Sequence, residues 1–305
     1  MRNVITTIFL PLLIIFSGCS VTNNHSSKKS EYKLNSPNLT LVLPEILHEI
    51  SGLTYIDANT IACVQDENGF IFIYDILNNN IKEQYTFNYD GDYEGITRVG
   101  QKLYVLQSDG ILFEITDYTT PNFKIYSYFT GIPADNNEGL CYDPQNDRLL
   151  IACKGKLGKG PEFKDKRVIY GFDLKSKKLS AEPVYEFDLQ VIKQFAIDEK
   201  IQLPTRTKKK GEITEPIIKF AISAIGIHPI NSKLYVLSAT DHLIFIFNEL
   251  AEIEHIEQLD PEMFNKAEGI TFFENGDMLI TNEGQDKRPS LLRFNYIKFS
   301  ESKNK

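Results

Sequence analysis

Three Glu-Gly pairs, each followed by apolar residues, could do chemistry if the fold brings them together. They are Glu94-Gly95, Glu138-Gly139 and Glu268-Gly269, and weaker copies begin at Ser51-Gly52 and Ser223-Ala224. Carboxylates held close together resist ionisation unless a positive charge lies among them. The repeated pair therefore predicts an acidic site that attracts a cation.

A short acidic turn strengthens this prediction, because Asp90 and Asp92 directly precede Glu94. Calcium takes roughly six to eight oxygen ligands, including mixed carboxylates and carbonyls. The predicted metal ligands are Glu94, Glu138, Glu268, Asp90 and Asp92, with Ca²⁺ as the cofactor. The alternative is a structural role. In that case the glutamates cap backbone amides at strand starts or pair with residues of a neighbouring repeat, and the glycines allow close packing.

A second group of polar residues lies further along each repeat, in the loop between the second and third predicted strands. The predicted ligand-binding residues are Asp66, Asp109, Lys154, Lys156, Lys159, Asp241 and Glu283. The basic, glycine-rich stretch 154–160 could hold a phosphoester or another anion beside a bound calcium. The alternative for this stretch is a solvated lysine loop.

The repeat itself indicates the elements that position these residues. Its copies begin at 51, 94, 138, 223 and 268, at intervals of 43, 44, 85 and 45 residues. A period of about 40 to 45 residues with short apolar runs is typical of four-stranded propeller blades. We predict an all-β, five-bladed β-propeller in which the strand 38–43 closes the last blade. Six blades are the alternative, since the long interval could hold another blade instead of the insertion predicted at 189–220.

The N-terminal residues predict the cellular location of the protein. Residues 1–18 combine a positive start, an apolar run and Ser17-Gly18 before Cys19, as in lipoprotein signal peptides. Lipidation of Cys19 would anchor the chain to the cell envelope, and Ser20 favours the outer membrane facing the periplasm. Residues 19–38 are predicted to form a flexible tether, and 39–300 the propeller domain.

The net charge limits the classes of partner that we expect, and the cysteine count limits the possible disulfides. The formal net charge is −8, and such a surface repels phosphate backbones, so we expect no nucleic acid partner. The expected partners are the membrane, through the lipid, and a small anionic ligand or an envelope protein, with the chain a monomer. Cys63, Cys141 and Cys153 remain after lipidation of Cys19, and we expect buried thiols or a Cys141–Cys153 disulfide.

The motifs resemble the SdiA-regulated domain family of bacterial propeller lipoproteins. The residues that carry the resemblance are Ser51-Gly52-Leu53, Glu94-Gly95-Ile96, Glu138-Gly139-Leu140 and Ala267-Glu268-Gly269-Ile270, and it covers about residues 39 to 297. The resemblance implies a membrane-associated five-bladed propeller and, for some members, a link to calcium and a likeness to propeller phytases.

Three functions stay open at this point. The first is a binding module for a ligand, calcium or a partner, and the second is a calcium-dependent phosphoester hydrolase. The third is a purely structural envelope protein. Propellers serve all three, so the fold alone does not choose between them. We favour the binding module, because no general base or nucleophile stands out in the sequence.

Overall fold

The computed structural model describes residues 30–120, 122–134, 136–207 and 214–298. Its first strand, β1 (Leu39–Val42), precedes a short 3₁₀ helix, Glu45–Leu47. The following strands form five antiparallel sheets arranged radially as blades. The predicted five-bladed β-propeller is therefore confirmed, and the six-bladed alternative is not observed in the described residues.

Blades 1 and 2 each contain four consecutive strands. Blade 1 consists of β2 (Ile50–Asp57), β3 (Thr60–Gln65), β4 (Phe70–Asp75) and β5 (Asn80–Thr86). Blade 2 consists of β6 (Tyr93–Val99), β7 (Lys102–Gln107), β8 (Ile111–Thr116) and β9 (Lys124–Phe129). The inner strands are largely buried, whereas the outermost strands β5 and β9 are mostly exposed.

Blade 3 carries the insertion. It consists of β10 (Asn137–Asp143), β11 (Arg148–Cys153) and β12 (Lys166–Asp173), and β12 pairs with two short outer strands, β13 (Lys178–Leu179) and β14 (Tyr185–Asp188). A 3₁₀ helix, Pro161–Phe163, lies between β11 and β12. The insertion then forms helix α1 (Leu189–Asp198) and a hairpin of β15 (Thr205–Thr207) and β16 (Thr214–Pro216).

Blades 4 and 5 complete the ring. Blade 4 consists of β17 (Ala224–Ile227), β18 (Leu234–Ser238), β19 (Leu243–Phe247) and β20 (Ile253–Gln258). Blade 5 consists of β21 (Ala267–Phe272), β22 (Met278–Asn282) and β23 (Ser290–Phe294), and β1 is its fourth strand. The pairing of Leu41 with Leu291 sets the register of this closure, which confirms the predicted closing strand.

The hydrophobic core is divided among five interfaces between neighbouring blades. Apolar side chains on facing sheets meet at each interface, for example Val105 of blade 2 with Val64 of blade 1, and Ile280 of blade 5 with Leu237 of blade 4. Burial of apolar surface contributes roughly 25 cal/mol per Å², so these interfaces hold the blades together. Cys63, Cys141 and Cys153 are buried in them as free thiols, and no disulfide forms between the described cysteines.

A segment just before the propeller is packed against blades 4 and 5. Tyr32 is 5% exposed, and its hydroxyl donates to the Gly276 carbonyl at 2.6 Å. The Glu31 carboxylate accepts hydrogen bonds from Tyr235 at 2.6 Å and Asn231 at 2.9 Å. Residues 31–34 fall within the stretch predicted to be a flexible tether, but burial of the Tyr32 ring fixes them to the domain.

The predicted signal peptide, residues 1–18, and the lipidation site Cys19 lie outside the described residues, as do Lys208, Lys209 and Lys210 of the insertion. Within the described ranges, no helix is long and apolar enough to span a membrane. The lipid anchor and the envelope address therefore stay predictions.

Candidate functional site

The innermost strands β2, β6, β10, β17 and β21 surround a narrow central channel, each contacting the next and β21 contacting β2. Gly95 shows how closely they approach, because a Cβ atom there would lie 2.8 Å from the Leu140 Cβ of the next blade. The motif residues Ser51, Glu94, Glu138 and Glu268 line one end of this channel, in a cavity of about 10 Å³. That volume holds about one water molecule. We call this end the acidic mouth.

A β-bulge turns the motif side chains toward the channel. The register of the first two strands shifts at Glu94, between Tyr93 and Gly95, and likewise at Glu138 and Glu268. The same irregularity occurs at Ser51 in blade 1. A bulge leaves one residue without a partner in the ladder and redirects its side chain. The Glu-Gly signature is therefore a bulge signature.

Glu138 is the most constrained acid of the mouth. Its side chain is 3% exposed, and its Oε1 lies 2.5 Å from the Nζ of Lys154. Its other oxygen, Oε2, is buried and has no partner at hydrogen-bond distance among the described residues, although the Asn136 side chain lies near enough to lower the pKa of this carboxyl. Burial raises the pKa of Glu138 to about 7, although Lys154 opposes that rise. Burial lowers the pKa of Lys154, but Glu138, Glu268 and Glu94 outweigh it, and the net shift is upward.

Glu268 and Glu283 share a second lysine. The ammonium of Lys266 pairs with Glu283 and lies 3.7 Å from Glu268 Oε1. Burial raises the pKa of Glu268 despite the nearby ammonium groups of Lys154 and Lys266. The two lysines thus supply positive charge that the sequence analysis assigned to calcium.

Lys266 was not among the predicted site residues, although its position in the repeat places it close to a motif acid. It occupies the position two residues before the motif acid, where the other blades carry Glu49, Asp92, Asn136 and Ala221. An alignment of that position would have placed a lysine at the mouth.

Glu94 has no lysine within ion-pair distance among the described residues. Burial raises its pKa to about 9, and the negative charges of Glu138 and Asp92 raise it further while Lys154 lowers it. Asp92 is exposed and accepts a hydrogen bond from the Ser108 hydroxyl at 2.5 Å. Glu94 is therefore largely protonated at neutral pH, and a cation placed beside it would ionise it.

Asp66 extends the acidic mouth toward blade 1. Its Oδ1 is buried and has no hydrogen-bond partner within the described part of the chain. Burial raises its pKa to about 7, and Glu49, Glu283, Glu67 and Asp92 add to the rise. Asp66 thus lies within electrostatic reach of Glu283 and Asp92, and its role in ligand binding stays a prediction.

Two motif positions hold serine instead of glutamate, and each serine hydroxyl forms a hydrogen bond to a neighbouring blade. The Ser51 hydroxyl donates to the Tyr93 carbonyl of blade 2 at 2.5 Å. The Ser223 hydroxyl donates to the Ala267 carbonyl of blade 5 at 3.0 Å. The two serine copies of the motif therefore link neighbouring blades through hydrogen bonds to backbone carbonyls.

Other predicted ligand-binding residues have structural contacts or lie in solvent. Asp241 is 8% exposed and accepts hydrogen bonds from the Lys219 and Phe220 amides and the Ser238 hydroxyl, so it anchors the end of the insertion. Asp109 is exposed and accepts from the Ile111 amide in its own turn. Lys156, Lys159 and Asp90 are exposed.

The geometry bears on the calcium prediction as well. In the described ranges, no three Asp, Glu, His or Cys side chains are grouped closely enough to hold a metal ion. The Lys154 ammonium, 2.5 Å from Glu138, occupies a position that a cation would otherwise take. Calcium binding stays a prediction.

Comparisons with known proteins place the fold. No family model matches the sequence, and no curated protein matches it. The structure is similar to glutaminyl cyclase from Myxococcus xanthus, with a TM-score of 0.57 and 11% identity, covering 86% of this chain and 97% of that one. At that identity the similarity supports the fold alone. The molecule is a β-propeller of five blades with an acidic mouth.

Two further structures match less well. A chain of a nidogen/laminin complex has a TM-score of 0.49 and 13% identity, covering 79% of this chain and 74% of that one. Virginiamycin B lyase from Staphylococcus aureus has a TM-score of 0.44 and 14% identity, covering 84% of this chain and 69% of that one.

Proposed function

We propose that this protein is a lipid-anchored binding module of the bacterial cell envelope, and that its acidic mouth takes a positively charged group of its ligand. The anchor rests on residues 1–18 and Cys19. The resemblance of the Glu-Gly motifs to the SdiA-regulated domain family supports the same address. The ligand-binding role rests on the channel mouth.

The observation that carries the proposal is the pair of incompletely satisfied carboxyl groups at Glu138 and Glu94. A buried acceptor without a partner costs roughly 1 to 3 kcal/mol, and Glu138 Oε2 is such an acceptor. Glu94 lies beside it with its pKa raised to about 9. An incoming ammonium or guanidinium group would donate to Glu138 Oε2 and favour the ionised form of Glu94.

The class of cation follows from the space and the donors. The cavity among the bulge residues is about 10 Å³, too small for a whole organic ligand. A terminal ammonium could enter while the rest of the ligand stays outside. An amine donates several hydrogen bonds to separate acceptors, whereas calcium needs many oxygens at once. We therefore favour an amine, and calcium stays a prediction that the same experiment tests.

A titration of the full-length protein in detergent tests the proposal. The probes are putrescine, a diamine, and Ca²⁺ alone, followed by calorimetry and thermal unfolding. A ligand at a hundredfold its Kd stabilises a protein by about 2.7 kcal/mol. We expect putrescine to bind and its affinity to rise from pH 6 to pH 9, because Glu138 and Glu94 lose protons in that range.

Matched variants locate the binding. Glu94→Gln should weaken putrescine binding at least tenfold, whereas Glu83→Gln, on an exposed face of β5, should not change it. Binding of Ca²⁺ without putrescine would make calcium the ligand. If neither probe binds, or if the Glu94→Gln variant binds as the wild type does, the proposed role of the mouth is refuted.

The hydrolase alternative is tested on the same preparation. A calcium-dependent phosphoesterase would turn over p-nitrophenyl phosphate and lose this activity on chelation. We expect no turnover, because Lys154, one of three lysines predicted to bind an anion, already pairs with Glu138, and the other two, Lys156 and Lys159, are exposed.

A further inference from the structure

The opposite end of the central channel holds a larger cavity of about 270 Å³. An apolar ring, with one residue from each blade, borders both this cavity and the acidic mouth and separates them. The ring consists of Leu53, Ile96, Leu140, Ile225 and Ile270. Because the ring residues are buried, the two ends of the channel are chemically independent.

The wall of this cavity is mostly apolar and aromatic. The cavity is lined by the residues that lie four positions after the first residue of each motif. They are Tyr55, Arg98, Tyr142, Ile227 and Phe272. We call this end of the channel the apolar mouth. Ligand pockets are commonly apolar clefts with a few polar groups that orient the ligand. The cavity has the size and lining of such a pocket.

Arg98 is the one charged side chain of the described lining residues. Its Nε donates to the Gly100 carbonyl at 2.9 Å, Nη1 donates to the Ile56 carbonyl, and its guanidinium lies 5.4 Å from the centre of the Tyr55 ring. It forms no ion pair with a carboxylate in the described ranges. These contacts hold the guanidinium in place while leaving its charge uncompensated.

The other ionisable side chain at this end adds no charge. His228 is fully buried, its Nδ1 accepts from the Ile230 amide at 3.2 Å, and burial lowers its pKa to about 4. Asp57 and Glu274, the carboxylates of the neighbouring cleft, are not among the residues that line this cavity. Arg98 is therefore the one charged side chain among the described lining residues, and the Glu274 carboxylate lies behind Tyr55, whose hydroxyl donates to it at 3.4 Å.

We infer that the apolar mouth is a second ligand site, which takes a small organic carboxylate with an apolar body. The body would fill the cavity against the apolar ring and the rings of Tyr142 and Phe272. The carboxylate would accept hydrogen bonds from Arg98, the residue type that pairs best with a planar anion. This inference does not depend on the proposed role of the acidic mouth.

A pair of isosteric probes tests the inference on the full-length protein. Phenylacetate and phenylacetamide have the same shape and differ in charge. We expect phenylacetate to bind at least tenfold more tightly by calorimetry, because only the carboxylate pairs with Arg98. In Arg98→Gln this preference should disappear, and in Arg98→Lys it should persist in weaker form.

A matched control separates a local from a general effect of charge. Arg206→Gln removes the same charge from the exposed hairpin of the insertion, where Arg206 pairs with Glu215, and should keep the full preference. Equal binding of the acid and the amide, binding of neither at millimolar concentration, or an unchanged preference in Arg98→Gln would each overturn the inference. The wild-type comparison decides the matter even if an Arg98 variant fails to fold.

Discussion

The two ends of the central channel differ in charge although the same five strands build both. At the acidic mouth, Glu94, Glu138 and Glu268 project from bulges, and two lysines balance them only in part. Four residues further along the same strands, aromatic and aliphatic side chains surround a single arginine. Each strand thus carries a polar start and an apolar end, and the radial repeat turns that gradient into two sites.

The apolar ring is what keeps the two sites distinct, and breaking it should have the largest effect. Ile225 is 1% exposed, and truncation of a buried isoleucine to alanine costs roughly 2 to 5 kcal/mol. We expect Ile225→Ala to lower the free energy of unfolding in urea by about 3 kcal/mol. Ile197→Ala, at an exposed site of α1, is the control and should cost little. A small loss for Ile225→Ala would mean that the ring is loosely packed and the channel continuous.

Removing a cation from the acidic mouth should have the next largest effect. In Lys154→Met, the buried Glu138 carboxylate loses its partner. Loss of one partner of a buried ion pair costs about 3 to 5 kcal/mol. Lys154 is partly exposed, so we expect about 2 kcal/mol at pH 8 and less at pH 5, where Glu138 is protonated. The double variant with Glu138→Gln should recover most of the loss, and a single-variant cost independent of pH would contradict the assignment.

The smallest expected effect is a change in the pH dependence of stability, caused by the proton that Glu94 holds. Because burial raises the pKa of Glu94 to about 9, the folded state keeps a proton that the unfolded state loses above its ordinary value. This contribution to stability is present at low pH and is lost as the pH rises through about 9. Glu94 is only partly buried, so solvent screening keeps its slope well below the full value for one proton, about 1.4 kcal/mol per pH unit. We expect Glu94→Gln to flatten urea-unfolding stability between pH 6 and pH 9, whereas a slope equal to that of the wild type would show that Glu94 does not hold this proton.

Much of the fold was predictable because its repeat lies in local residue patterns. The Glu-Gly starts, the runs of apolar residues and the closing strand β1 were all identified from the sequence. The structure has helix α1 and the hairpin within the range of the predicted insertion. Residues 31–34 show the limit of local patterns, because their sequence gives no sign that the Tyr32 hydroxyl will donate to the Gly276 carbonyl.

The acids of the site and Lys154 were identified from the sequence, but Lys266 and the ion pairs between these groups were not. Glu94, Glu138 and Glu268 were found because they start the repeats, but the pairing of Lys154 with Glu138 depends on how a loop folds back. Asp241 shows the opposite error: it occupies the expected loop, yet its oxygens are satisfied by backbone amides of residues 219 and 220. Hydrogen-bond partners that come from distant segments leave no local signature.

Period, residue type and N-terminal pattern are local properties, so they predicted a propeller with five blades favoured over six, an acidic start to three innermost strands and a lipid anchor at Cys19. The folded chain was needed to show which carboxylates pair with a lysine, that Glu138 and Asp66 each keep a buried oxygen without a partner, and that Arg98 is the one charged side chain among the described residues lining the other end. Those outcomes depend on distances across the channel, and electrostatic and hydrogen-bond energies change steeply with distance and burial.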